Sequence, residues 1–152
     1  MDKCDWCNLT EKDKEWLLFE TQNWSVYLAD IQDYIGRCIL VSKRHCGSLS
    51  QLTLTEWVDL KEIINRLEQC YTQTLGANVC NWSCLMNDFF KKDSPNPHMH
   101  IHVRPRYKHT ITINHNTYED SEFAHHYALG KVTQLKDGDR IALYRIMKNS
   151  LT

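Results

Sequence analysis

His98-Met99-His100-Ile101-His102-Val103 is the stretch on which the reading of this chain turns. Three histidines alternate with three apolar residues. In an extended strand, side chains two apart point the same way, roughly 6–7 Å apart. The imidazoles then share one face while Met99, Ile101 and Val103 enter a core behind them. On a helix the same residues scatter around the axis, so the pattern fits only a strand. All three prolines of the chain, Pro95, Pro97 and Pro105, border it. They stiffen the approach and the exit, and Pro105 is expected to end the regular ladder. Spacing alone leaves two chemical uses open. His-x-His on a strand can hold a catalytic metal with an open position for water. Alternatively, one imidazole is a nucleophile toward phosphorus, because neutral imidazole is plentiful near neutral pH and the phosphoramidate it forms turns over. His109, His115, His125 and His126 show no such pattern and read as ordinary surface or core residues.

Outward from the histidines, the alternation over Val79 to Met86 predicts a strand with Cys80, Trp82, Cys84 and Met86 on one face and Asn81, Ser83 and Leu85 on the other. Upstream, Thr53 and Glu56 have capping-box spacing, and Trp57, Leu60, Ile63, Ile64, Leu67, Tyr71 and Leu75 recur at helical spacing up to a capping Gly76. That predicts one long helix laid on the sheet. Trp16 to Glu20 and Trp24 to Asp30 read as a hairpin around Thr21-Gln22-Asn23, and Gly36 to Val41 as a third strand. A final helix is expected over Asp139 to Asn149, a short strand over Thr110 to Ile113 and a short helix over Glu122 to Ala128. The order suggests an α+β fold, mostly antiparallel, with one long covering helix and a C-terminal helix.

The chain of 152 residues is 42% hydrophobic, which suits a single domain over 1–152 with a real core. Its 18 basic and 19 acidic side chains nearly cancel, so no nucleic acid or membrane partner is expected from charge. No apolar run approaches the roughly 20 residues that span a bilayer, and Met1 to Cys7 lacks the apolar stretch of a secretion signal. Seven cysteines, an odd number, point to reduced thiols in the cytoplasm. Cys38, Cys70, Cys80 and Cys84 sit in apolar or alternating runs and read as core or near-core. Cys4 and Cys7 differ: they lie in a polar, turn-prone segment at a spacing used for metal ligation or redox chemistry.

The motif His98-Met99-His100-Ile101-His102-Val103-Arg104 resembles that of the histidine triad family of nucleotide hydrolases and transferases, His-φ-His-φ-His-φ-φ with φ apolar. Arg104 departs from it. The resemblance extends upstream through Asp30, Gly36, Leu40-Val41-Ser42-Lys43-Arg44-His45 and Leu49-Ser50-Gln51-Leu52, and so covers roughly 4–107, leaving 108–152 as a C-terminal extension of the same domain. It implies that His100 is a nucleophile forming a nucleotidyl-histidine, that His102 contacts phosphate and helps the leaving group, and that Asp30 receives the ribose hydroxyls. It places Asn87 before the phosphate-binding loop. Where many relatives carry Gly-Gln-Ser or Gly-Gln-Thr in that loop, this chain has Asp93-Ser94-Pro95-Asn96-Pro97, so Ser94 and Asn96 become the candidate donors. Asn96-Pro97-His98 looks more like the uridylyltransferase branch. In family members with an N-terminal Cys-x-x-Cys, the implied partners of Cys4 and Cys7 are His45 and His98, a closed structural zinc site. The resemblance therefore implies a homodimeric enzyme of the zinc-containing branch, similar to diadenosine tetraphosphate hydrolases. The rivals are transfer to a phosphate or sugar-phosphate acceptor, nucleotide binding with little turnover, and metal-assisted hydrolysis on the three histidines.

Overall fold

The computed structural model describes residues 4–126 and 135–152. Strands β1 (Leu17–Glu20), β2 (Trp24–Leu28), β3 (Cys38–Ser42), β4 (Val79–Ser83) and β5 (His100–Arg106) form one sheet in the order β1-β2-β3-β5-β4. Every pairing in it is antiparallel. Helices α1 (Leu54–Cys70) and α2 (Asp137–Leu151) contact one another and the β2 and β1 side of the sheet respectively. The expected α+β architecture is therefore what the chain adopts. Among the described residues, no helix is long and apolar enough to cross a membrane.

The β3–β5 register sets the two faces of the sheet. Leu40 lies opposite Ile101 and Cys38 opposite Val103, whereas Ile39 lies opposite His102 and Val41 opposite His100. Leu40, Ile101, Cys38 and Val103 join Leu60, Ile63 and Leu67 of α1 and Leu143 and Met147 of α2 in a single buried cluster. A strand has period two, so one apolar row fixes the other row on the opposite face. That other row presents His100 and His102.

The capping box of α1 is complete: Thr53 Oγ1 accepts from the Glu56 N–H at 3.3 Å, and the Thr53 N–H donates to Glu56 Oε2 at 2.7 Å. After Cys70 the helix widens into a π-helical turn, Tyr71–Leu75, which ends at Gly76 with φ of 68°. Gly76 thus caps the segment as expected, because glycine adopts this left-handed backbone without the steric cost that a side chain brings.

Several boundaries differ from the sequence reading. Pro105 does not end the ladder: β5 runs to Arg106, with Pro105 opposite Cys80. The Asn78 N–H donates to the Arg106 carbonyl, so Arg106 faces β4 and Pro105 turns its backbone the other way. The β3 pairing has already stopped there, at Cys38 opposite Val103. The missing N–H of the proline therefore has no partner to lose. β4 ends at Ser83, opposite His102, three residues before Met86. The alternation runs on past that point, so periodicity gives no warning of the departure. Ile111–Ile113 pairs with an additional strand, Asn116–Tyr118, around Asn114 and His115, both at positive φ. Such hairpin turns normally announce themselves with glycine, and this one has none. Residues 122–125 form turns, not a helix, and the rest of the helix expected to Ala128 falls partly outside the described residues.

Candidate active site and metal centre

Cys4, Cys7, His45 and His98 converge although the first and last are 94 residues apart. Their ligand atoms all lie within 4.8 Å of one another. Cys4 Sγ is 3.3 Å from His98 Nδ1, Cys7 Sγ is 3.4 Å from both His45 Nδ1 and His98 Nδ1, and the two Nδ1 atoms are 3.1 Å apart. Tetrahedral zinc with about 2.3 Å bonds to sulfur and 2.0–2.1 Å to nitrogen places neighbouring ligand atoms roughly 3.3–3.8 Å apart. Two thiols and two imidazole nitrogens at these separations fit that ion. The second ring nitrogen of His98 supports the fit: Nε2 lies 2.7 Å from the Ser42 carbonyl, which only accepts. Nε2 must carry the proton, so the Nδ1 lone pair faces the thiols, as in metal-ligating histidines held by a carbonyl. Burial also holds His98 below the ordinary imidazole range.

His100 is turned the opposite way. Its Nδ1 is 3.0 Å from the His98 carbonyl, so Nδ1 donates and Nε2 keeps its lone pair. The ring is 7% exposed. It stacks on Trp6, with centroids 5.7 Å apart and planes 20° apart, and meets the edges of Phe89 at 5.6 Å and His102 at 5.0 Å. Trp6 is carried by the 3-10 turn Asp5–Cys7 beside the Cys/His cluster, and Phe89 by the 3-10 turn Asn87–Lys91 that follows β4.

His102 is only partly buried, and its Nδ1 lies 3.3 Å from Arg37 Nη2. Burial, followed by the nearby charges of Arg37, His100 and Arg104, pushes its pKa down to about 3. The free protein therefore holds His102 as a neutral ring at physiological pH. It can donate from Nε2 to an anion, but it does not start as a protonated acid.

A cavity of about 1030 Å³ adjoins the histidines, lined by Trp6, Trp16, Tyr27, Ile31, Arg37 and Ile39 among others. Trp6 touches His100 and Arg37 touches His102, so its wall reaches both rings. The size and mixed lining suit a nucleotide. Asp30 also lines this cavity, just past β2, with its side chain 88% exposed and its Oδ1 2.9 Å from Arg140 Nη2. Asn87 opens the turn that carries Phe89, while Ser94 is exposed and Asn96 half-buried in the loop leading to His98.

Four residues at the site escaped the sequence reading: Trp6, Arg37, Phe89 and Arg140. Trp6 sits between Cys4 and Cys7, where an aromatic inside a metal loop was a usable signal. Arg37 precedes a strand, Phe89 lies in a polar stretch, and Arg140 approaches from the far end of the chain to lie 4.0 Å over the Trp16 ring. None of these three belongs to a local pattern.

No protein-family model and no curated protein matches this chain. Solved structures do. A hypothetical histidine triad nucleotide-binding protein from Sulfolobus tokodaii strain7 superposes with a TM-score of 0.67 at 11% identity, covering 97% of this chain and 91% of that one. The chain has the histidine triad fold. A zinc-bound histidine triad family protein from Mycobacterium smegmatis shares that fold at a TM-score of 0.62 and 18% identity, over 97% of this chain and 92% of the other. A uridylyltransferase does so at 0.67 and 17%, over 97% of this chain but only 45% of its own length. The histidine triad fold is thus common to proteins described as nucleotide-binding, as zinc-bound and as transferring a nucleotidyl group.

Proposed function

We propose that this protein is a nucleotide phosphate hydrolase working through a nucleotidyl-histidine at His100, with dinucleoside polyphosphates such as diadenosine tetraphosphate as its substrate class. The observation that carries the reading is the 3.0 Å contact from His100 Nδ1 to the His98 carbonyl. It commits one nitrogen as a donor and leaves the other with a lone pair on a ring fixed by a strand.

The nucleoside lies in the cavity with its ribose at Asp30, and Asn87, Ser94 and Asn96 donate to phosphate oxygens. His100 Nε2 attacks the α-phosphorus in line with the leaving oxygen, from a near-attack separation of about 3–3.5 Å. The P–N bond forms, the P–O bond breaks, and its electron pair leaves on the departing phosphate. The ring becomes cationic, and its Nδ1–H stays on the His98 carbonyl, whose dipole stabilises that charge. His102 donates from Nε2 to a phosphate oxygen. Water then attacks phosphorus, the P–N bond breaks, its electron pair returns to Nε2, and the proton lost by water passes to solvent.

Cys4, Cys7, His45 and His98 would hold a zinc ion, whose contribution would be a structural crosslink and not a position for substrate. Its loop sets Trp6 on His100. A homodimer belongs to the same reading and is measured by sedimentation of the purified protein.

The test uses diadenosine tetraphosphate labelled in the adenylate, quenched rapidly without acid and followed by peptide mapping. Label on His100 is expected. Hydrolysis that proceeds with no label on His100 replaces the covalent route with direct attack by water. A second reading, transfer to phosphate or a sugar phosphate, is favoured by Asn96-Pro97-His98 and by the uridylyltransferase likeness. A new nucleotidyl product that appears only when those acceptors are added supports it.

A further inference from the structure

Arg104 occupies a motif position that is apolar in histidine triad proteins. Its side chain is nonetheless 4% exposed, and its Nε donates to Asp33 Oδ2 at 2.9 Å. A buried guanidinium costs free energy unless paired, so its presence calls for an explanation beyond packing. Asp33, itself 3% exposed, is also 3.4 Å from Arg37 Nη1. Arg37 in turn places Nη2 3.3 Å from His102 Nδ1 and lines the cavity. The chain of contacts therefore runs Arg104, Asp33, Arg37, His102, with the middle carboxylate shared between two cations.

Two consequences follow from elementary chemistry. A guanidinium has no acceptor, so Nδ1 of His102 must accept and its proton must lie on Nε2. The Arg37 guanidinium, which cannot deprotonate, also puts a permanent positive charge at the cavity wall, next to the ring that receives phosphate in the reading above. Among the described residues, the other charged or titratable groups facing His102 are His100 and Arg104 on β5 and Asp88 on the turn after β4. Asp88 is exposed and paired with Lys91 at 2.6 Å.

We propose that Arg37 is a substrate-binding and positioning residue that holds His102 as an Nε2–H donor and places its guanidinium against the leaving polyphosphate. The site then selects nucleotides joined to further phosphate groups over nucleotides joined to an uncharged leaving group. This rests on the nucleotide reading above, and Arg104 is its support through Asp33.

The test has three arms on the full chain. Binding of inorganic tripolyphosphate is measured by calorimetry for the parent protein, Arg37→Lys and Arg37→Met. Arg37→Met is expected to bind at least about tenfold more weakly, and Arg37→Lys to stay within a few-fold, since it keeps the charge. Nitrogen-15 spectra of histidine-labelled protein report the ring: His102 should hold its proton on Nε2 throughout about pH 5 to 8 in the parent, and become a mixture of tautomers in both variants. Finally, kcat/KM is compared for diadenosine tetraphosphate and for an adenosine phosphoramidate with a neutral amine. Arg37→Met should lower the first about a hundredfold and the second only a few-fold.

Equal loss on both substrates or unchanged tripolyphosphate binding in Arg37→Met, or an unchanged His102 tautomer in either variant, overturns the assignment. If Arg37→Met does not fold, Arg37→Lys decides through the spectra. Should the parent protein hydrolyse neither nucleotide, the enzymatic reading fails while tripolyphosphate binding and the spectra still judge Arg37.

Discussion

The two ends of the histidine row fix their rings by opposite means. His98 is set by an acceptor, the Ser42 carbonyl on Nε2 at 2.7 Å, so its lone pair points from Nδ1 into a cluster of thiols. His102 is set by a donor, Arg37 on Nδ1 at 3.3 Å, so Nε2 is left to donate. Between them, His100 is set by a carbonyl on Nδ1. Three identical side chains within five residues thus leave different nitrogens open, which in the function proposed above makes them a metal ligand, a nucleophile and a hydrogen-bond donor. The group on the opposite nitrogen of each ring makes the choice, and a carbonyl serves two rings where a guanidinium serves the third.

The sharpest way to break this picture is at the middle ring. His100→Ala should abolish turnover, by at least about 10⁴-fold as for removal of a covalent nucleophile, while circular dichroism and metal content stay at parent values. Near-normal rates would show that the tautomer at His100 has no chemical role.

At the metal end, the protein as purified should hold about one zinc per chain. The Cys4→Ser, Cys7→Ser double variant should lose it and, with the loss of a few kcal/mol, melt roughly 10 °C or more lower. Trp6 should leave His100 in the same variant, seen as a change in tryptophan emission. Full zinc retention would sink the metal assignment.

The metal end is also braced from behind. Arg44, next to His45, donates to Glu56 from Nε at 2.8 Å and from Nη2 at 2.7 Å. The Arg44 bond, with help from Thr53, holds the Glu56 carboxyl down at about 2. A depressed carboxyl stabilises the fold above its unfolded value of about 4.3, and that contribution fades as pH falls from there toward the folded value. Glu56→Gln should therefore destabilise the protein clearly at pH about 6, with the gap to the parent closing by pH about 2–3 in urea melts. A gap independent of pH would place its cost in lost packing instead.

The smallest effect is expected at Asp30, which is exposed and already engaged by Arg140. Asp30→Ala should weaken ribonucleotides a few-fold to about tenfold, and 2′-deoxyribonucleotides less, because the deoxy sugar has lost one of the two bonds. Equal losses for both sugars would make Asp30 a turn residue that anchors α2.

What was legible in the chain divides along the same line. The face of His100 and His102 followed from period two. The capping box and Gly76 followed from spacing, because each is a local bond within a few residues. The metal set was reachable only through resemblance, since nothing local joins residue 4 to residue 98. Arg37 was out of reach altogether: its proposed role depends on Asp33, in the connection between β2 and β3, meeting Arg104 of β5, and a charged residue before a strand predicts no partner. Arg104 was visible as an anomaly, but its meaning required the register. The premature end of β4 was hidden for a different reason, because the alternation of side chains outlasts the strand that it describes.

The convergence of Cys4 with His98 across 94 residues bears on how the molecule is made. During synthesis the two thiols emerge first, and their last partner follows only after four strands' worth of sheet and the long helix have left the ribosome. Until then, in the zinc reading proposed above, Cys4 and Cys7 lack half of their ligand set. Trp6 has no His100 ring to rest on. The segment that brings His98 to the two thiols also delivers His100, so one stretch of translation completes the Cys/His cluster and supplies the ring proposed to react.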